Sequence, residues 1–217
     1  MGTRIRGDGK KVGRFNLKFT LDSVELAEGS WVRFDGYTVT AFAVSHGMPA
    51  LGYVLEEDPR PGRFDRERAI ELGVPPGPLF GKLQRGETIR VTKDSAELEV
   101  LPSDVMGVPR PGRKVVYTGD TRPVPQTLAV HAKDADLLIH DATYDESEIK
   151  RAAEFYHATA HQAGEAAAAA GVRTLALTHI SSRYTDTTGH LNEAKTAFSG
   201  DVIVPDDRFM LEIGYRD

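Results

Sequence analysis

The chain has 217 residues, 27 Lys+Arg against 32 Asp+Glu for a formal charge of −5, and no cysteine. That length, with 40% hydrophobic residues, fits one substantial folded domain and excludes disordered and fibrous classes. The missing thiols exclude disulfides, iron–sulfur clusters and a cysteine nucleophile, so any metal must be held by His, Asp or Glu. No apolar run approaches the ~20 residues that span a bilayer, and Met1 opens no charged-then-apolar leader. The expectation is a cytoplasmic protein without a membrane partner.

Residues 1–14 read as a loose basic segment, with Arg4, Arg6, Lys10, Lys11 and Arg14 against Asp8 and no hydrophobic period. From Phe15 to Glu57 the pattern is one of short strands, clearest at Tyr37–Ser45 and, after a Gly47-Met48-Pro49 turn, Leu51–Glu57. Between Arg60 and Arg85 the character changes. Eight residues are Gly or Pro, and six basic residues (Arg60, Arg63, Arg66, Arg68, Lys82, Arg85) face three acids. A short helix over Asp65–Leu72, closed by Gly73, fits inside this stretch.

Beyond Lys114 strands alternate with helices. Lys114–Thr118, Asp136–Ile139 and Arg173–Thr178 are short apolar runs of the kind buried on both faces. Helices are expected at Pro125–Lys133 and Ala160–Ala170, the second with a Thr159/Gln162 capping box and Gly171 as its left-handed stop. Helix Leu191–Phe198 and strands at Asp201–Val204 and Arg208–Ile213 close the chain.

The chemistry collects at strand ends. Asp120, His140 with Asp141, and His179 follow the three buried runs, and His46 ends the Tyr37–Ser45 strand. Carboxyl ends of strands in helix-covered sheets are where sites form, because the loops converge on a rigid edge. Asp120 after Gly119 is also a natural turn carboxylate, and His179 could be a buried histidine bonded to backbone. His157 lies at the entry to the Ala160 helix. His131, His161 and His190 have no partner in view and are read as surface histidines.

Together, Gly119-Asp120-Thr121-Arg122-Pro123, Leu138-Ile139-His140-Asp141-Ala142-Thr143, His157-Ala158-Thr159-Ala160 and Leu177-Thr178-His179-Ile180-Ser181-Ser182-Arg183-Tyr184 resemble ribonuclease Z, a tRNA 3′-processing endonuclease family of the metallo-β-lactamase superfamily. Ser45-His46-Gly47-Met48-Pro49-Ala50-Leu51-Gly52-Tyr53 resembles the family's third metal motif. Pro61-Gly62-Arg63-Phe64 through Pro75-Pro76-Gly77-Pro78-Leu79-Phe80 resembles its tRNA-binding arm.

The resemblance implies an α/β fold, the four-layer αβ/βα sandwich, over residues 15–217 with the arm inserted at about 58–87. It implies two zinc ions, held by His46 and His179 and bridged by Asp120. It also implies His157 as proton donor to the leaving ribose oxygen, oriented by Asp141. Asp141 and Ala158 stand where the family more often has Glu and Ser. Arg60, Arg63, Arg66, Arg68, Gly77, Pro78 and Arg183 would meet RNA, the substrate would be precursor tRNA, and the assembly a homodimer.

The superfamily's His-x-His-x-Asp-His cluster is not in this sequence, whose first histidine is His46. The chain is therefore expected to correspond to such an enzyme without its N-terminal third. The leading expectation is a zinc-dependent endoribonuclease that removes the 3′ trailer of precursor tRNA. The alternatives are a catalytically incomplete tRNA-binding subunit or fragment, and another phosphodiesterase of the superfamily.

Overall fold

Alternation of β-branched and aromatic residues with small ones builds the first half of the main sheet. The computed structural model describes residues 24–216. The basic 1–14 segment, and the part of the expected strand region that runs from Phe15 to Ser23, lie outside the described residues.

In chain order the elements begin with β1 (Trp31–Phe34), β2 (Tyr37–Val44) and β3 (Ala50–Glu57). Next come α1 (Arg66–Glu71), α2 (Pro78–Gln84), β4 (Ile89–Lys93) and β5 (Ala96–Val100). Then follow β6 (Lys114–Tyr117), α3 (Pro125–His131), β7 (Leu137–Asp141), α4 (Ile149–Phe155) and α5 (Ala160–Ala170). The last are β8 (Thr174–Thr178), α6 (Thr188–Ala197) and β9 (Asp201–Ile203).

Two compact units result, the second formed by Asp58–Gly112 with Tyr215 and Arg216, the first by the rest of the described chain to Gly214. The first unit is a seven-stranded sheet in the order β1-β2-β3-β6-β7-β8-β9. β1, β2, β3 and β6 pair antiparallel, and β6 to β9 pair parallel. It follows that β2, β6, β7, β8 and β9 all run the same way and end at one edge.

On one face Phe42, Val54, Val116, Leu138, Leu175 and Leu177 meet the alanine stripe of α5. Its residues Ala160, Ala163, Ala166, Ala167 and Ala170 recur at helical spacing and are buried. Small side chains let helices approach closely: a Cβ on Gly164 would stand 2.6 Å from the Ala194 carbonyl of α6. The opposite face is apolar as well, with Tyr53 directly across from Tyr117, and both rings exposed. Of the four layers implied by resemblance, the described residues of this unit build one sheet layer and the helix layer against it. No helix among them is long and apolar enough to cross a membrane.

The capping box of α5 forms as expected. Gln162 N–H donates to Thr159 Oγ1 at 3.2 Å, Thr159 N–H donates to Gln162 Oε1 at 3.0 Å, and Gly171 adopts φ +65°. The strand expected at Arg208–Ile213 does not form. Those residues are irregular and pair with no strand among the described residues, and Phe209 and Met210 are exposed.

The second unit has its own core of Ala69, Val74, Leu83, Ile89, Val91, Val100 and Val105. Asp65 caps α1 by accepting from Arg68 N–H at 2.8 Å. β4 and β5 form a hairpin that the sequence reading missed. Its turn residues Asp94 and Ser95 both have positive φ, as a tight two-residue hairpin turn requires. The unit thus holds the 58–87 stretch and continues to Gly112.

Two histidines are packed inside the first unit. His140 and His190 are buried, each with Nε2 unpartnered, and burial pushes the pKa of both down. His190, read from sequence as a surface residue, sits edge-on to the Tyr184 ring at 4.5 Å, because α6 starts at Thr188 rather than Leu191.

A histidine whose folded pKa lies below its unfolded value of about 6.5 takes up its proton on unfolding first. Its stabilising contribution is therefore full above pH ~6.5 and declines as pH falls below it, by at most about 1.4 kcal/mol per pH unit. Glu193, raised by burial, acts in the opposite sense. Urea melts between pH 7.5 and 5.5 should show a shallower acid loss for His190→Phe than for the parent chain. Equal slopes would contradict the assignment.

Candidate active site

Four strands that end at one edge bring the chemistry together. His46 lies two residues past β2, Asp120 three past β6, Asp141 is the last residue of β7, and His179 follows β8. His157 arrives from the short junction between α4 and α5. His179 turns out of its strand with φ +61°, a left-handed conformation that costs a β-carbon-bearing residue ~1–3 kcal/mol and is found at functional sites.

The centre of the site is the Asp141 carboxylate, fully buried. Oδ1 accepts from Thr143 N–H at 2.9 Å and the Thr143 hydroxyl at 2.7 Å. Oδ2 accepts from Thr121 N–H at 2.9 Å and from His157 Nδ1 at 2.7 Å. Four donors on two oxygens satisfy an ionised carboxylate where water does not reach. The short aspartate side chain thus reaches His157 directly.

These bonds fix the histidine tautomers. His157 Nδ1 faces an acceptor-only carboxylate and must carry a proton, leaving Nε2 for chemistry. His46 Nδ1 lies 3.0 Å from the Tyr156 carbonyl, so it too carries the proton. That carbonyl is held in place: Tyr156 has φ +64° at the end of α4, and its ring carries the Arg122 guanidinium at 3.9 Å. His179 Nδ1 lies 2.7 Å from the Thr143 hydroxyl. Each of the three rings therefore keeps Nε2 for a ligand or a proton.

A ligand atom from each of Asp120, His157 and His179 lies within 4.8 Å of the others. His179 Nε2 is 3.5 Å from Asp120 Oδ2, and the His157 and His179 rings stack at 4.9 Å. His46 stands outside this threesome, its ring 5.1 Å from that of His157. Imidazole nitrogen and carboxylate oxygen are donors that zinc accepts, and each histidine's second nitrogen is oriented by an acceptor, as metal-bound histidines require. The residues fit such an ion.

Other sequence candidates fall elsewhere. His140 does not join the site. Successive residues of β7 point to opposite faces, so Asp141 takes the site side while His140 enters the helix-covered core, Nδ1 2.7 Å from the Asp141 carbonyl. Arg183 is exposed, 3.8 Å from Glu148 and 5.1 Å over the Tyr144 ring.

In the second unit Arg63, Arg66 and Arg68 are exposed, Arg68 pairing with Glu71 at 3.1 Å. Arg60 is engaged within that unit, on the Pro111 and Arg216 carbonyls and against the Tyr215 ring at 3.7 Å. Gly77 has φ +148°, with open space where a Cβ would stand, and leads into Pro78 at the first turn of α2.

Sequence reasoning missed Thr121, Thr143 and the Tyr156 carbonyl. The Asp141-x-Thr143 spacing carried a signal, since a carboxylate readily binds the backbone two residues on.

The profile of the Beta-lactamase superfamily domain matches residues 86–180. Ribonuclease Z of Methanosarcina acetivorans is 49% identical over 208 residues, covering 95% of this chain and 66% of that protein. Ribonuclease Z of Myxococcus xanthus is 47% identical over 207 residues, with the same coverage of 95% and 66%. Among solved structures, the metallo-beta-lactamase fold protein YhfI of Bacillus subtilis aligns with a TM-score of 0.55 at 18% identity, over 85% of this chain and 53% of that one. Human tRNase Z, short form, aligns at 0.50 and 21% identity, over 84% and 46%. The two structures share the fold, and the chain spans just under two thirds of the length of the curated relatives. With nearly half its residues identical to theirs over almost its whole length, the chain belongs to the ribonuclease Z family of the metallo-β-lactamase superfamily.

Proposed function

We propose that the chain carries the catalytic groups of a zinc-dependent endoribonuclease that removes the 3′ trailer of precursor tRNA by phosphodiester hydrolysis. The observation that carries this reading is the Asp141–His157 pair at 2.7 Å, set beside the converging Asp120, His157 and His179 ligand atoms. The name of its relatives, Ribonuclease Z, supports the substrate class.

Zinc bound here supplies Lewis-acid polarisation of the phosphate and a water made nucleophilic at neutral pH. The remaining work belongs to the chain. His157 Nε2 holds a proton for the leaving ribose oxygen, while Asp141 accepts from Nδ1 and aims the ring. In this reading His157 serves proton transfer, and His46, Asp120 and His179 serve the metal. Arg63, Arg66 and Arg68, with Arg60, Gly77 and Pro78 shaping their surroundings and Arg183 at the first unit's surface, grip RNA through phosphate and shape. The working form in this reading is a cytoplasmic homodimer.

One sequence observation favours a second reading, a tRNA-binding subunit without cleavage: the chain has no His-x-His-x-Asp-His cluster. Incubation of the chain with zinc and precursor tRNA separates the two. Cleavage at the trailer supports the first, and tight binding without cleavage supports the second.

Within the first reading, His157→Ala lowers turnover by about 10²–10⁴-fold and leaves zinc and tRNA affinity nearly unchanged, whereas His46→Ala and His179→Ala weaken zinc binding. A His157→Ala protein that loses zinc in calorimetry would make His157 a ligand instead. Replacing Arg63, Arg66 and Arg68 with Ala weakens tRNA binding and lowers the slope of log K against log salt by up to about 2–3, one phosphate per arginine. An unchanged slope would remove these residues from the RNA contact.

A further inference from the structure

We infer that Thr143 is a positioning residue that joins the proton-transfer pair to the metal-ligating histidine, by fixing His179 in the tautomer whose Nε2 lone pair faces Asp120. The inference rests on the site reading proposed above.

The argument is one of proton counting. Thr143 Oγ1 has a single proton and two polar neighbours, Asp141 Oδ1 and His179 Nδ1, each at 2.7 Å. An ionised carboxylate only accepts, so the hydroxyl proton goes to Asp141. The contact to His179 must then be Nδ1–H donating to Oγ1, which in the neutral ring leaves the lone pair on Nε2, 3.5 Å from Asp120 Oδ2.

Histidine side chains in water favour the opposite tautomer, with the proton on Nε2, so the protein has to impose this one. The same hydroxyl leaves Asp141 fully supplied, which keeps the carboxylate's other oxygen turned to His157. Thr143 is itself held. It is buried, its N–H donates to Asp141 at 2.9 Å, and its carbonyl accepts from Ser181 N–H at 3.1 Å and bonds His190. A valine would keep the β-branched shape and the backbone bonds but lose both hydroxyl bonds at once. A serine would keep the hydroxyl.

The test is long-range ¹H–¹⁵N correlation of imidazole nitrogens in the metal-free chain at a pH where the histidines are neutral, with zinc titration calorimetry on the same samples. In the parent chain His179 shows the Nδ1–H tautomer. Thr143→Val moves it to Nε2–H or to an exchanging mixture and weakens zinc binding by roughly 10–100-fold. Thr143→Ser retains the parent tautomer and most of the affinity.

The inference is overturned if the parent chain already shows Nε2–H at His179, a result that needs no variant to fold. It is also overturned if Thr143→Val keeps Nδ1–H, or if Thr143→Ser shifts as valine does. A parent chain that shows the Nδ1–H tautomer yet takes up no zinc would remove the metal reading and leave the Thr143 network standing.

Discussion

One buried carboxylate governs the geometry of this site. Asp141 lies where a bare charge would cost several kcal/mol, and the chain offsets that cost with four donors from three residues. Each bond places something else. The Thr121 amide ties down the loop that presents Asp120, His157 Nδ1 sets the ring that faces the site, and Thr143 passes the constraint to His179. Bonds to a charged group contribute about 1.5–3 kcal/mol each, so the four together exceed the ~1–3 kcal/mol strain of left-handed backbone at His179. The strained turn can therefore persist because the surrounding bonds over-determine it.

The scaffold explains why these residues can meet. Four of the five strands ending at one edge put functional residues from distant parts of the chain on rigid supports, and only the His157 junction comes from between helices. The second unit leaves the first after Glu57 and returns at Arg113. There Glu57 Oε2 accepts from Arg113 N–H at 3.0 Å and Nε at 2.8 Å, fastening the two ends of the interrupted sheet. That unit has its own apolar core, and Arg63, Arg66 and Arg68 lie exposed on it.

Sequence legibility followed the range of the interactions. The α5 capping box and its glycine stop are local, and both were readable residue by residue. Strand existence was readable too, but not which face each strand turns to the site. A strand apolar on both sides gives no alternation, so His140 and Asp141 looked equivalent although the pleat sends them to opposite faces. His190 looked exposed because the α6 start was placed three residues late. The Arg208–Ile213 run looked like a strand because its apolar composition does not say whether a partner strand is present. Roles set by proton counting, such as that of Thr143, depend on side chains 36 residues apart in sequence and had no local signature beyond the Asp-x-Thr spacing.

The most direct test of the account is amide hydrogen exchange in Asp141→Asn, a side chain of the same shape that can no longer accept from four donors. The account predicts that the Thr121 and Thr143 amides lose protection by an order of magnitude or more while amides within β7 and β8 keep theirs, the site loosening on an intact sheet. Unchanged protection at Thr121 and Thr143 would show that the carboxylate does not hold the site together.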